Sequence, residues 1–224
     1  MKFLPALFSL ALFASCQEST TSEASEAAAS TEPKGPHPAL KDPSLAQEQA
    51  PAEFKAEFST TKGNFEVTVH REWSPLGADR LYNLVKIGYF EDIAFFRAVE
   101  GFMVQFGIHG DPAVNAVWKD ANINDDPNVG QSNTPGKLTF AKTGMPNSRS
   151  VQFFINYGNN AFLDNQGFTP IGEVTKGMDV VNNLYKGYGE RPSQAQNTIQ
   201  MRGNEFLKQS FPELDYINSA KIVD

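Results

Sequence analysis

Arg97 and Gln105 are the residues of this sequence best suited to do chemistry, and both lie in a stretch rich in phenylalanine. A guanidinium stays charged at any working pH, so Arg97 is a permanent cationic hydrogen-bond donor. Such a donor stabilises a lone pair or a negative charge that develops during a reaction. An arginine among apolar residues is by itself more often part of a surface salt bridge, so the residue types alone leave both interpretations open.

Covalent and metal chemistry have little support in the sequence. Cys16 is the only cysteine, which excludes an intramolecular disulfide and a thiolate metal cluster. The three histidines are widely scattered, so we expect neither a histidine metal site nor any other metal or cofactor. The acidic run 120–126 begins like a calcium loop but lacks the required glycine and the closing glutamate, and we interpret it as a solvated loop.

Charge and composition restrict the class of protein further. The chain has 224 residues, of which 40% are hydrophobic, so it has enough apolar material for a core. The 19 lysines and arginines are outnumbered by 26 acidic residues, giving a net charge of −7. This excess of negative charge argues against nucleic acid as a partner, because phosphate binding requires positive charge.

The first 16 residues have the pattern of a secretion signal. Lys2 precedes an apolar run over residues 3–13, and the small residues Ala14 and Ser15 stand directly before Cys16. The run is shorter than the roughly 20 residues that span a membrane. Residues 12–16 resemble the lipobox of bacterial lipoproteins. The resemblance implies a signal peptide over 1–15 and a lipid on Cys16, which would anchor the protein to a bacterial membrane on the periplasmic side or the cell surface. An ordinary secretory signal is the alternative.

A change of composition separates this signal from the rest of the chain. Residues 17–52 contain no aromatic side chain and consist mainly of Ser, Thr, Glu, Ala and Pro. Such a segment buries too little apolar surface to offset the entropy lost on ordering. We therefore predict a lipidated cysteine and disordered tether over 16–52 and one folded domain over 53–224.

Hydrophobic periodicity predicts a strand-rich domain with few helices. Residues 54–70 have the alternation of a β-hairpin, and Ser74 followed by Pro75 predicts the start of a helix over 75–87. Many short apolar runs with frequent turns follow, which is typical of a β-barrel or sandwich. A second helix is predicted over 178–185, a further one near 195–209, and a last strand over 216–223.

Two long segments resemble a known family. Residues 89–107 closely resemble the signature of the cyclophilins, the peptidyl-prolyl isomerases that bind cyclosporin, and residues 140–148 and 151–155 resemble the second half of that signature. The likeness extends over roughly residues 54–187. It implies a mainly β fold, namely a closed eight-stranded antiparallel barrel capped by two α-helices, here with an additional C-terminal helix and strand. The active site would lie on the outer face of the barrel.

The resemblance also implies a reaction and assigns roles to residues. Rotation about an Xaa-Pro bond crosses a barrier of about 20 kcal/mol without making or breaking a bond, so it needs no cofactor. Arg97 would be the catalytic donor, and Gln105 would hold either the guanidinium or the substrate carbonyl in place. The predicted substrate-binding residues are Phe102, Met103, Thr143, Phe154, Phe162 and Leu163, with Thr143 acting through its loop backbone. Phe153, next to Phe154 on a strand, should point into the core.

The predicted function is a peptidyl-prolyl cis-trans isomerase that acts on proline-containing polypeptides as they fold outside the cytoplasm. Phe162 stands where the family often has a tryptophan that contacts cyclosporin, so cyclosporin binding should be weak. Two alternatives remain open at this point. The fold could carry a non-catalytic module that binds proline peptides or acts as a chaperone, or it could serve only as the stable body of a surface lipoprotein.

Overall fold

The computed structural model describes residues 35–224. The predicted signal peptide over 1–15, Cys16 and residues 17–34 of the predicted tether lie outside these residues. Between residues 35 and 224, no helix is both long enough and apolar enough to cross a bilayer.

The predicted hairpin is confirmed and contributes to the core. Strands β1 (Glu53–Thr60) and β2 (Gly63–His70) pair antiparallel through a two-residue turn. Phe58 lies opposite Phe65 in this register, and their rings stack with centroids 4.9 Å apart. Both side chains are almost fully buried. The alternation of β1 is therefore one of core and surface, whereas in β2 the polar residues Glu66 and Thr68 are buried as well.

The described residues form nine strands in one curled antiparallel sheet. The seven strands that follow the hairpin are β3 (Ile93–Ala94), β4 (Arg97–Val99), β5 (Met103–Phe106), β6 (Lys137–Phe140), β7 (Phe153–Asn156), β8 (Pro170–Lys176) and β9 (Tyr216–Val223). Their order across the sheet is β3-β9-β1-β2-β8-β6-β7-β5-β4. The predicted last strand is therefore confirmed, and it lies inside the sheet between β1 and β3.

The structure differs from the predicted closed eight-stranded barrel. The sheet is a half-barrel of nine strands, and within residues 35–224 its ladder ends at β3 on one side and β4 on the other. Only Phe95 and Phe96 separate these two edge strands, and neither edge bonds to the other. The Phe95 N–H donates to the carbonyl of Asp215, and the Ala98 N–H donates to the carbonyl of Gly189 at 3.4 Å. Backbone at or next to each edge strand thus bonds to residues of the segment 189–215, which precedes β9.

Four α-helices lie among the described residues: α1 (Pro75–Lys86), α2 (Pro112–Trp118), α3 (Met178–Asn182) and α4 (Gln196–Ser210). Short 3-10 helices cover Pro38–Leu40, Pro43–Leu45, Ala161–Gln166 and Pro192–Ala195. The predicted helix at 75–87 is confirmed, the one at 195–209 is present with a kink at Gly203, and the one at 178–185 is shorter than predicted. α2 was not predicted, although Asp111 as the N-cap and Pro112 at the first position are a helix-start signal.

Residues 35–52 are not the disordered tether that their composition predicts. Ala39 is fully buried, and the carbonyls of Ala39 and Leu40 both accept hydrogen bonds from the Trp118 indole at 3.1 Å. Asn83 in α1 pairs with the backbone of Glu48, donating to its carbonyl at 2.7 Å and accepting from its N–H at 3.0 Å. The segment is ordered because side chains elsewhere in the domain form hydrogen bonds with its backbone. The composition of the segment gives no indication of those partners.

The loop predicted to be solvated at 120–126 instead caps a helix. The Asp126 carboxylate accepts hydrogen bonds from the Ser74 hydroxyl at 2.6 Å and from the Gly77 N–H at 3.0 Å, at the first turn of α1. Arg149 pairs with the same carboxylate at 3.0 Å, and the Asp126 side chain is only 5% exposed. Ser74 therefore begins the helix as predicted, but the cap is a carboxylate distant in sequence.

The same contacts set the pKa of Asp126. Burial alone would raise this pKa, but the hydrogen bonds from Ser74 and Gly77 and the charge of Arg149 hold it below its usual value. A carboxyl group whose pKa is lowered by folding stabilises the folded state above its unfolded pKa of about 3.9. That contribution is lost as the pH falls through the folded-state pKa.

We expect Asp126→Asn to lower the free energy of unfolding by about 3 kcal/mol at neutral pH, because it leaves Arg149 buried beside a neutral group. The difference from the native chain should shrink as the pH falls below about 4. Urea unfolding from pH 3 to 7 measures both effects. Asp120→Asn, in an exposed position of the same loop, is the control and should change stability by less than about 0.5 kcal/mol. Equal losses in the two variants would contradict the assignment.

Candidate active site

The pairing of β4 with β5 places Arg97 directly opposite Gln105. Directly opposite residues in an antiparallel pair present their side chains on the same face, and here Arg97 Nη1 donates to Gln105 Oε1 at 3.1 Å. Val104 and Phe106, which alternate with Gln105 along β5, are fully buried in the main core. The two predicted catalytic residues therefore meet on the outer face of the sheet.

Gln105 is held in turn by Gln152, the residue just before β7. Gln105 is 9% exposed, and its Nε2 donates to Gln152 Oε1 at 2.9 Å. This bond leaves the Gln105 carbonyl oxygen facing the guanidinium. Gln152 was not among the predicted site residues, although its place beside the core strand of Phe153 and Phe154 could have pointed to it.

Arg97 has a second partner that the sequence did not predict. Its Nη2 lies 2.5 Å from Glu190 Oε1, and its guanidinium carbon lies 5.8 Å from the centre of the Phe102 ring. The Arg97 Nε is buried and has no hydrogen-bond partner among residues 35–224. The arginine, with a side chain 24% exposed, is thus fixed at its two terminal nitrogens, and each of these nitrogens keeps a second N–H.

A small apolar cluster lies on the same face as Arg97. Its buried members are Met103, Phe154 and Leu163, and they pack apart from the main core. Phe154 lies opposite Gln105 in the β5–β7 register, while Phe153 is fully buried in the main core, as predicted. The structure therefore brings the predicted apolar binding residues together beside Arg97 and Gln105.

The rim of this cluster is aromatic and partly exposed. Phe162 is 57% exposed and stacks on Phe102 with ring centroids 6.2 Å apart. Phe168 closes another side, with its ring centroid 6.0 Å from that of Phe154. Phe168 was missed because it lies in a loop with no strand or helix pattern to mark its direction.

Thr143 lies on an exposed loop that is closed by its own hydrogen bonds. The Thr143 N–H and hydroxyl contact the Ser148 hydroxyl at 3.1 and 2.9 Å. Thr143 and Ser148 line a polar groove of about 400 Å³ that also includes Gln105 and Gln152. The opposite wall comes from α4, through Gln196 and Gln200 among others. The groove is suited to hydrogen bonding with an extended chain that passes the apolar cluster.

Comparison with known proteins gives one consistent result. The family model described as cyclophilin type peptidyl-prolyl cis-trans isomerase/CLD matches residues 55–204. A peptidyl-prolyl cis-trans isomerase of Acinetobacter baylyi is 32% identical over 144 residues, which are 62% of this chain and 76% of the relative. Peptidyl-prolyl cis-trans isomerase B of Escherichia coli is 30% identical over 134 residues, which are 57% of this chain and 81% of the relative.

Solved structures share the fold. A cyclophilin type peptidyl-prolyl cis-trans isomerase of Cryptosporidium parvum has a TM-score of 0.59 at 18% identity, covering 77% of this chain and 98% of that one. The same protein crystallised in the presence of the dipeptide Ala-Pro has a TM-score of 0.56 at 17% identity, covering 76% and 99%. At this identity the likeness concerns the fold alone.

The apolar cluster and its rim should differ in their effect on stability. We expect Phe154→Ala to lower the free energy of unfolding by about 3 kcal/mol, because it leaves a cavity among buried side chains. Phe162→Ala removes a mostly exposed ring and should change that free energy by less than about 0.5 kcal/mol. Urea unfolding of the two variants measures the difference. A loss at Phe162 as large as that at Phe154 would show that Phe162 belongs to the packed cluster.

Proposed function

Because the chain belongs to the cyclophilin-type peptidyl-prolyl cis-trans isomerase family, we propose that it accelerates rotation about Xaa-Pro bonds with Arg97 as the catalytic donor. One observation carries this proposal: the Arg97 guanidinium, fixed by Gln105 at 3.1 Å, lies beside a buried apolar cluster on the outer face of the sheet. A fixed cation next to an apolar socket is the combination that the reaction requires.

The reaction needs selective binding of a twisted amide. Rotation breaks the amide resonance and returns a lone pair to the proline nitrogen, so this nitrogen becomes a hydrogen-bond acceptor only near the transition state. A donor of Arg97 that bonds to it lowers the barrier without stabilising either planar isomer. If that bond is worth about 2 to 4 kcal/mol more in the transition state, the rate rises roughly 30- to 1000-fold.

The apolar cluster is suited to seat the proline ring. Met103, Phe154 and Leu163 offer a desolvated floor, and Phe102 and Phe162 form its rim. The loop at Thr143 and the polar groove beside it would bind the backbone on either side of the proline. The Cryptosporidium relative crystallised with Ala-Pro supports a proline-containing polypeptide as the class of substrate. With no indole donor at Phe162, cyclosporin binding should remain weak.

We propose further that the protein acts outside the cytoplasm, anchored by a lipid. The support is the sequence alone: an apolar signal over 1–15 that ends directly before Cys16. A lipid on Cys16 would hold the isomerase on a bacterial membrane, on the periplasmic side or at the cell surface. The clients would then be proteins that fold there.

The role of Arg97 is tested by measuring cis-trans exchange of a short Ala-Pro peptide by NMR, with the full chain in detergent. We expect Arg97→Ala to lower kcat/KM at least tenfold, because the donor to the twisted nitrogen is lost. Arg202→Ala, which removes an exposed arginine from α4, is the control and should leave the rate unchanged.

Other results would contradict the proposal in distinct ways. If the native chain shifts the peptide resonances without accelerating exchange, the fold carries a binding module. If it does neither, the fold serves only as a stable body. If Arg97→Ala is as active as the native chain, the catalytic donor is another group.

Lipid anchoring is tested by growing cells that express the full chain with radiolabelled palmitate. We expect the native chain to take up label and to sediment with membranes, and we expect Cys16→Ser to do neither, because the sulfur is the only thiol that can carry the lipid. Unlabelled native protein that is released in soluble form would show an ordinary secretory signal instead.

A further inference from the structure

The segment that follows α3 turns back onto the edge strand that carries Arg97. The Gly189 carbonyl accepts a hydrogen bond from the N–H of Ala98, the neighbour of Arg97 on β4, at 3.4 Å. Gly189 has a φ of 54°, a conformation in which side chains are disfavoured, and its own N–H donates to the carbonyl of Lys186 at 2.9 Å. The turn therefore presents its next residue, Glu190, to the guanidinium.

Glu190 and Gln105 hold Arg97 from two sides. Glu190 Oε1 lies 2.5 Å from Nη2, and Gln105 Oε1 lies 3.1 Å from Nη1. An arginine side chain has several rotatable bonds, so two partners on its two terminal nitrogens fix the plane of the guanidinium. The Nε–H stays buried and, within residues 35–224, is left with nothing to bond to.

We propose that Glu190 is a positioning residue of the active site, which orients Arg97 so that its free donors face the substrate. This inference rests on the proposed role of Arg97 as the catalytic donor. A cation that is ordered before the substrate binds loses no further side-chain entropy during the reaction. The transition state then meets a donor that is already in place.

The turn that carries Glu190 is itself fixed, which favours positioning over gating. The Glu190 carbonyl accepts from both the N–H and the hydroxyl of Ser193, at 3.0 and 2.7 Å. Tyr188 packs edge-on against Phe211, with ring centroids 5.2 Å apart, and Pro192 is buried at the start of the following 3-10 helix. The ordered turn holds the Glu190 backbone beside Arg97 before substrate arrives, and the carboxylate itself is 54% exposed.

The contact also leaves the arginine able to donate. A guanidinium has five N–H groups, and the bonds to Glu190 and Gln105 use one on each terminal nitrogen. One N–H on each terminal nitrogen remains for a substrate, whereas the Nε–H is buried. Glu190 thus constrains the cation without occupying all of its donors.

The test compares Glu190→Ala and Glu190→Gln with Glu205→Ala in the full chain. Glu205 is an exposed glutamate of α4 that pairs with Arg202 at 3.0 Å, and it serves as the matched control. We expect Glu190→Ala to lower kcat about fivefold to tenfold, with KM within about twofold, because the donor is misplaced. Glu190→Gln keeps an acceptor oxygen and should restore most of the rate, and Glu205→Ala should match the native chain.

Two further measurements separate positioning from other roles. In an Arg97→Ala background, Glu190→Ala should cause no additional loss of rate, because the residue acts through Arg97. The ¹⁵N-resolved Nε–H signal of Arg97 should shift and exchange faster with solvent in Glu190→Ala than in Glu205→Ala.

Each opposite result overturns the inference. A rate that rises in Glu190→Ala would show a gate, and a loss that persists in the Arg97→Ala background would show a purely structural effect. An unchanged rate in Glu190→Ala and an unchanged Nε–H signal would show that the contact has no role. A native chain without isomerase activity would instead overturn the proposed function, and the Nε–H signal would still report whether Glu190 orients Arg97.

Discussion

The register between β4 and β5 is the constraint on which the candidate site depends. It places Arg97 opposite Gln105 on the outer face because Val104 and Phe106 are committed to the core. Side chains alternate along a strand, so a slip of one residue would turn the polar pair inward and the apolar pair outward. The burial of Val104 and Phe106 on one side of the sheet therefore fixes Arg97 on the other side.

The C-terminal part of the chain is also needed to build the sheet and the candidate site. β9 lies between β1 and β3 and is a full member of the sheet. A second apolar cluster joins α4 to the sheet through Phe96, which is buried against Ile199 and Leu207. The neighbouring Phe95 lies in the main core, so the two adjacent phenylalanines pack in two different apolar clusters. The groove wall formed by α4 and the turn at Glu190 depend on this second cluster.

Local patterns in the sequence predicted the features that depend on residues close together in the chain. The hairpin, the first helix and the meeting of Arg97 with Gln105 follow from alternation, from a helix-start signal and from a resemblance carried by a continuous segment. The features that were missed depend on contacts between distant parts of the chain. Asp126 caps a helix about 50 residues earlier in sequence, and Glu190 reaches Arg97 across 93 positions. The ordered segment at 35–52 likewise owes its order to side chains far from it. No periodicity in a sequence encodes such partners.

The position of β9 also has a consequence for how the chain folds. β1 begins at residue 53 and pairs with β9, so that Lys55 lies opposite Val223. The contacts that complete the first strand are therefore among the most distant in sequence, and closing so long a loop slows folding. During synthesis, the β1 edge of the hairpin of β1 and β2 stays exposed until residues 216–223 have emerged. The sheet can be completed only after β9 has been synthesised, and until then this open edge is the part of the described fold most prone to pair with another chain.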